Sequence, residues 1–241
     1  MRSPIFIIGY GRSGTHWLAQ TLERHKDIRA TIEIQPIFSI VTEMALNPKL
    51  QNRLFWRLVL QYKWQILKSK PKRYLDKSHP NIWIAEKLSN AFSKAQFLGI
   101  ERNPYATVSS AIKHKGGEAI RNHWRELPIP NNFLGIDKSM AEVYDSLPLS
   151  KKYALSWVSH HQRMNDLENI LGDRLKVVKY EELVHHTATI IDELKEFLKL
   201  STPISILKVQ KESLTKWESN LTKDQLLEIE SIVGFPPSKL K

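Results

Sequence analysis

Ile5-Phe6-Ile7-Ile8-Gly9 is a short β-rich run that stops at glycine, and Thr15–Arg24 behind it reads as a helix. Gly9, Gly11 and Gly14 punctuate the turn between them. A strand that passes through such a turn into a helix belongs to a layered α/β arrangement rather than to a bundle or a sandwich. The alternation then continues. Ile28–Ile34 is a second short run. From Pro48 to Lys70, Leu50, Leu54, Leu58, Tyr62 and Ile66 recur every fourth residue, which is helical spacing. Arg73–Asp76 is a strand, Ile82–Ser93 a helix, and Gln96–Glu101 a strand entering a helix at Pro104, a favoured first-turn residue. Residues Gly116–Pro148, rich in Gly, Pro and Asn, read mostly as loop. Lys151–Leu171 is helical, Leu175–Tyr180 a strand and Thr187–Leu200 a helix. This order predicts one α/β domain over residues 1–241, with a central, mostly parallel sheet flanked by helices. Such sheets bind ligands at the carboxyl ends of their strands, here Gly9–Trp17, Glu101–Ser110 and Tyr180–Glu181.

Composition narrows the classes. A chain of 241 residues with 41% hydrophobic and 25% charged content is not a disordered one. The absence of cysteine excludes a disulfide framework, a thiolate zinc site and a cysteine nucleophile. No apolar run approaches the roughly 18 residues of a membrane span, and no signal peptide is visible, so a cytoplasmic protein is expected. The net charge of +11 asks for an anionic partner. Lys49–Lys77 holds nine cations against Asp76 alone, a net +8. Arg53 and Arg57 share a helix face, and Trp56, Tyr62 and Trp64 add aromatic surface. That stretch reads as a helix packed on the sheet with a solvated basic face, or as an element meeting the acceptor or an anionic membrane surface. The adjacent pairs His160-His161 and His185-His186 lack the spacing of helical metal ligands and read as surface or interface residues. No metal site is expected.

Gly9-Tyr10-Gly11-Arg12-Ser13-Gly14-Thr15-His16-Trp17 has the order an anion cradle needs: strand, glycines, a cation, hydroxyls, helix start. Gly9 and Gly14 have the spacing of a nucleotide-binding P-loop, but Thr15-His16 stand where Lys-[Ser/Thr] is required. A P-loop kinase or NTPase loses its phosphate lysine and magnesium ligand here. The segment instead resembles the phosphosulfate loop of sulfotransferases that use 3′-phosphoadenosine 5′-phosphosulfate (PAPS). The resemblance implies a P-loop-like sulfotransferase fold. It implies that Gly11, Arg12, Ser13, Gly14, Thr15 and His16 hold the 5′-phosphosulfate, with Arg12 also on the transferring group and Trp17 stacked on adenine. The arginine variant is that of the Golgi and bacterial branches, and His16 departs from the usual hydroxyl.

Three further segments are similar to the family in the same order. Arg102-Asn103-Pro104 with Ser110 eight residues on resembles its 3′-phosphate motif. Leu175–Leu183 resembles the strand ending in Tyr-Glu-[Asp/Glu]-Leu, which would set Tyr180 near the adenine. Lys211–Trp217 loosely resembles the basic segment that closes over the nucleotide, with Lys211 or Lys216 as a 3′-phosphate ligand. Tyr74–Pro80 resembles the segment that carries a lysine and a base, which implies Lys77 on the bridging oxygen and His79 as general base. Asp27–Glu33 resembles the place where other branches carry a glutamate base, so Glu33 competes with His79. The implied reaction moves a sulfuryl group in line from PAPS to a hydroxyl or amine, releasing adenosine 3′,5′-bisphosphate (PAP) without a metal. A small molecule, glycan, lipid or peptide acceptor stays open. The alternatives are a kinase or NTPase-like nucleotide binder and a non-enzymatic basic module; no nucleic-acid partner is expected.

Overall fold

The computed structural model describes residues 3–114 and 117–240. Gly116, where the expected loop opens, lies outside them. Among the described residues one sheet has the order β2-β3-β1-β4-β5, with every pairing parallel. The strands are β1 (Ile5–Gly9), β2 (Ile28–Ile32), β3 (Arg73–Lys77), β4 (Gln96–Glu101) and β5 (Leu175–Lys179). The chain leaves β1 for one edge, returns through β3, then crosses to the other half. β1 is therefore the switch point, where neighbouring connections diverge and open a crevice. Its residues are all buried, and they alternate between two cores. Phe6 and Ile8 face one core, Ile5 and Ile7 the other.

Helices cover both faces, as a parallel sheet requires. Over Phe6 and Ile8 lie α2 (Ile37–Leu46), α3 (Gln51–Ser69) and α4 (Ala85–Ala91), and later in the chain α8 (Leu149–Leu171). Over Ile5 and Ile7 lies α1 (Thr15–Glu23). Beyond β4 come α5 (Pro104–Lys113), α6 (Glu118–Asn122) and α7 (Lys138–Val143). Tyr180 opens α9 (Tyr180–His185), and α10 (Thr187–Phe197) joins α9 over the second face. The chain finishes with α11 (Lys216–Asn220) and α12 (Lys223–Val233), which close a third cluster with α5 and α8.

Several expectations need correction. The region 117–148 is not mostly loop: it carries α6, α7 and 3-10 turns at Trp124–Glu126 and Tyr144–Ser146. Trp124, Phe133, Leu134, Ile136 and Tyr144 bury one another there, and a small core of its own orders the segment despite its turn residues. The helix expected at Ile82 starts as a 3-10 segment, His79–Ile84, before α4. His160 is buried, not a surface residue: its Nδ1 donates to the Ser156 carbonyl, and Trp83 Nε1 donates to its Nε2 at 3.0 Å. Burial holds it at about 3, far below the usual imidazole value.

α3 packs Leu54, Leu58, Tyr62 and Ile66 inward, so the four-residue period marks the buried face. Tyr62 belongs to that core and adds no surface. Its hydroxyl donates to Asp76, a fully buried carboxylate that also accepts from Asn81 Nδ2 at 2.8 Å. Burial lifts Asp76 to about 6 even with these donors. Two cations of the 49–77 stretch are likewise internal. Arg73 ties the sheet to the Leu198 carbonyl and Gln96, and Lys77 is 1% exposed.

Candidate functional site

The register of the sheet assembles the site. β1 pairs Gly9 with Ile100 of β4, which sets the glycine loop beside Arg102. β4 pairs Glu101 with Lys179, which sets Arg102 beside Tyr180. β2 pairs Ile32 with Lys77 of β3, which sets Glu33 beside Lys77. The two halves meet at the carboxyl end of β1.

Glycine is needed twice in the loop. At Gly9 (φ 152°) a Cβ would lie 2.6 Å from the Ile100 carbonyl oxygen, and at Gly14 (φ 94°) 2.5 Å from the Tyr180 ring. No side chain caps α1 at Gly14, so its first-turn N–H groups remain available to a ligand. Arg12 (φ 72°) and Glu33 (φ 51°) hold the left-handed conformation without being glycine. Strain of this kind gathers at functional sites. Gly14→Ala adds both a strained φ and a clash with an anchored ring, and is expected to cost about 2 kcal/mol, or roughly 4–8 °C in Tm. An unchanged melting curve would show that Tyr180 does not lie against Gly14.

The nucleotide-sized side is a cleft of about 690 Å³. Arg12, Arg102, Lys113, Lys208 and Lys216 line it, and among the described residues no Asp or Glu does. Arg12 Nε donates to Ser110 Oγ at 3.2 Å, which joins the first two motifs. Arg102 stacks over the Tyr180 ring at 4.5 Å and donates to the carbonyls of Arg12 and Ser213. Its Nε is buried without a partner, as is Ser13 Oγ within the loop. Such unsatisfied donors are costly unless a ligand completes them. Trp17, Leu183, Val184 and Val209 add an apolar wall suited to a flat base.

Residues 208–217 form a roof tied down by three bonds. Trp17 Nε1 donates to the Lys208 carbonyl at 3.3 Å, Arg102 Nη2 to the Ser213 carbonyl at 2.6 Å, and the Tyr180 and Ser213 hydroxyls share a bond of 2.7 Å.

On the other side of Arg12, Glu33 gathers Lys77, His79 and His16. Lys77 Nζ donates to Glu33 Oε1 in a close ion pair, and His79 Nδ1 donates to the same oxygen at 3.0 Å. His16 Nε2 lies 3.9 Å from Glu33 Oε2. Burial alone would raise Glu33, but the bonds from His79 and Lys77 outweigh it and bring the carboxyl to about 2. Burial lowers Lys77, with Glu33 pulling the other way, and burial with Lys77 lowers the half-exposed His16. Burial also lowers His79, while Glu33 partly restores it. The second nitrogen of His79, Nε2, faces the loop, 3.6 Å from where a Cβ on Gly11 would stand.

Of the residues singled out in sequence, Arg12, Gly14, Thr15, His16, Trp17, Arg102, Ser110, Tyr180 and Lys216 line the one cleft. Glu33, Lys77 and His79 form the adjoining cluster, with Gly11 beside it. Ser13 is buried beneath the loop. Lys211 is exposed and does not line the cleft. Lys113 and Lys208 do line it but lie outside the quoted motifs. Lys113, one turn beyond Ser110 on α5, was open to helical spacing, whereas Lys208 sits in irregular chain with no periodic signal.

Several solved structures share this fold. Similar folds include the sulfotransferase domain of the curacin biosynthetic pathway, with TM-score 0.63 and 13% identity over 98% of each chain. A sulfotransferase from Alicyclobacillus acidocaldarius has TM-score 0.56 and 16% identity over 99% of this chain and 98% of that one. Mouse sulfotransferase SULT7A1, solved in complex with PAP, has TM-score 0.55 and 18% identity over 96% of this chain and 83% of that one. No curated protein matches the sequence. The sulfotransferase domain model matches residues 2–231, nearly the whole length, and on that ground the chain belongs to the sulfotransferase family and is a transferase enzyme.

Proposed function

We propose that the protein transfers a sulfuryl group from PAPS to a hydroxyl or amine. The observation that carries this reading is the cleft: among the described residues, five cations and no carboxylate line a wall that also offers aromatic and aliphatic surface. A nucleotide that carries phosphate groups at both its 5′ and 3′ positions suits a wall with several cations. Arg12, with the loop N–H groups and Ser13, Gly14 and Thr15, holds the 5′-phosphosulfate. Arg102, with Ser110 and a lysine of the wall, holds the 3′-phosphate, and Trp17 and Tyr180 flank the base. The PAP complex of the mouse fold relative supports the same ligand here.

The Glu33 cluster supplies the proton chemistry. His79 is the general base and Glu33 positions it, so the two residues that compete in sequence act as one unit. A carboxylate at about 2 is a weak base at neutral pH, whereas an imidazole below its usual value is neutral and ready to accept. Glu33 accepts a hydrogen bond from the Nδ1–H, which keeps that proton on Nδ1 and leaves Nε2 unprotonated toward the loop. The acceptor oxygen or nitrogen attacks sulfur and gives its proton to Nε2. The sulfur–oxygen bond to the nucleotide breaks in line, and Lys77 supports the charge on the departing oxygen. This is catalysis by positioning and electrostatics.

Thermal stabilisation by PAP, AMP and ATP tests the nucleotide reading. PAP is expected to raise Tm well beyond the other two, since ligand binding to the folded state alone stabilises it. Equal shifts from all three would remove the 3′-phosphate role of Arg102 and Ser110.

A further inference from the structure

The outward face of α3 is unlike a solvated helix surface. Trp56, Leu60, Trp64 and Leu67 stand on it at 68%, 65%, 52% and 53% exposure. Their spacing of four, four and three residues keeps them in one stripe. Arg53, Arg57, Lys63 and Lys68 are exposed along the same helix, and Lys49, Lys70 and Lys72 extend the charge at its two ends. Lys68 lies over the Trp64 ring at 5.0 Å. No acid occurs between Lys49 and Lys72. Leaving two indoles and two leucines in water is unfavourable, and a monomer rarely exposes so large an apolar stripe without a use.

We infer that this face docks the protein on an anionic lipid bilayer. Indole and leucine side chains enter the headgroup boundary, while arginines and lysines reach the lipid phosphates. Charge complementarity selects this occupant. A second copy would face the same seven exposed cations across a two-fold axis, like charge against like. A nucleic acid would use the cations and the indoles, but it offers nothing for Leu60 and Leu67 to enter. The helix is not a span: none in the described residues is long and apolar enough to cross a membrane. The docking face is separate from the nucleotide cleft, so this inference stands or falls independently of the PAPS reading.

Sedimentation of the full chain with vesicles tests it. One set is pure phosphatidylcholine, and the other contains about one-third phosphatidylglycerol. The parent protein is expected to sediment with the anionic set and to be released as salt rises. A variant carrying Trp56→Ser, Leu60→Ser, Trp64→Ser and Leu67→Ser should lose at least tenfold in partitioning while its PAP-dependent Tm shift stays that of the parent. A variant carrying Arg53→Gln, Arg57→Gln, Lys63→Gln and Lys68→Gln should lose the preference for anionic vesicles. Parent protein left in the supernatant of both sets overturns the inference, as does equal binding by the serine variant. A parent dimer that the serine variant converts to monomer would make the face a subunit contact instead. Tighter binding to a duplex oligonucleotide than to anionic vesicles would make it a nucleic-acid surface.

Discussion

His79→Ala is expected to lower kcat by about 10²–10⁴-fold at saturating PAPS, the usual contribution of a positioned base. Glu33→Gln should cost far less, because the amide oxygen can still accept a hydrogen bond from the Nδ1–H of His79. The pH profile separates the roles. On the proposed role a neutral His79 is the active form, so kcat should fall as pH drops through its pKa, which burial sets below the ordinary 6.5. Glu33 raises that pKa, so Glu33→Gln should move the acidic limb further down in pH. If Glu33 were itself the base, Glu33→Gln would be as inactive as His79→Ala. A His79→Ala enzyme with near-parental kcat would remove the base assignment altogether.

Arg102→Lys should erase the preference for the 3′-phosphate. Two guanidinium nitrogens on carbonyls and the stacking on Tyr180 fix the group in place with its Nε unpartnered, and an ammonium on a flexible stem offers no such fixed donor. Loss of charge-assisted bonds is expected to weaken PAP by about ten- to a hundredfold, and AMP much less. Calorimetric titration with the two nucleotides reads the ratio directly. If both weaken equally, Arg102 holds only the Arg12 and Ser213 carbonyls in place and has no part in reading the 3′ end.

Much of this was legible because it is local. β1 and β4 are short apolar runs that end at turn residues and β5 is a short Leu-Lys-Val-Val-Lys run, and their following segments carry the loop, Arg102 and Tyr180 within a few positions. α3 announced its buried face by a four-residue period. What stayed hidden depends on contacts across the chain. α2 carries little local signal: its ten residues follow Pro36 and have a short apolar pattern with no polar cap at its start. The helices between Glu118 and Ser146 exist because Trp124, Phe133 and Tyr144 meet in space, whereas local composition there speaks for turns. Glu33 and His79 looked like rivals because 46 positions separate them; β2–β3 register makes them neighbours.

The roof over the cleft has a kinetic consequence. Its three anchors are Trp17, Arg102 and Tyr180, the residues that would also touch the nucleotide. With a nucleotide seated as proposed, its departure is expected to require these contacts to break and the segment 208–217 to lift. On the proposed reading, escape of product and lifting of the roof are expected to be one event, and the frequency of that opening would set a ceiling on turnover.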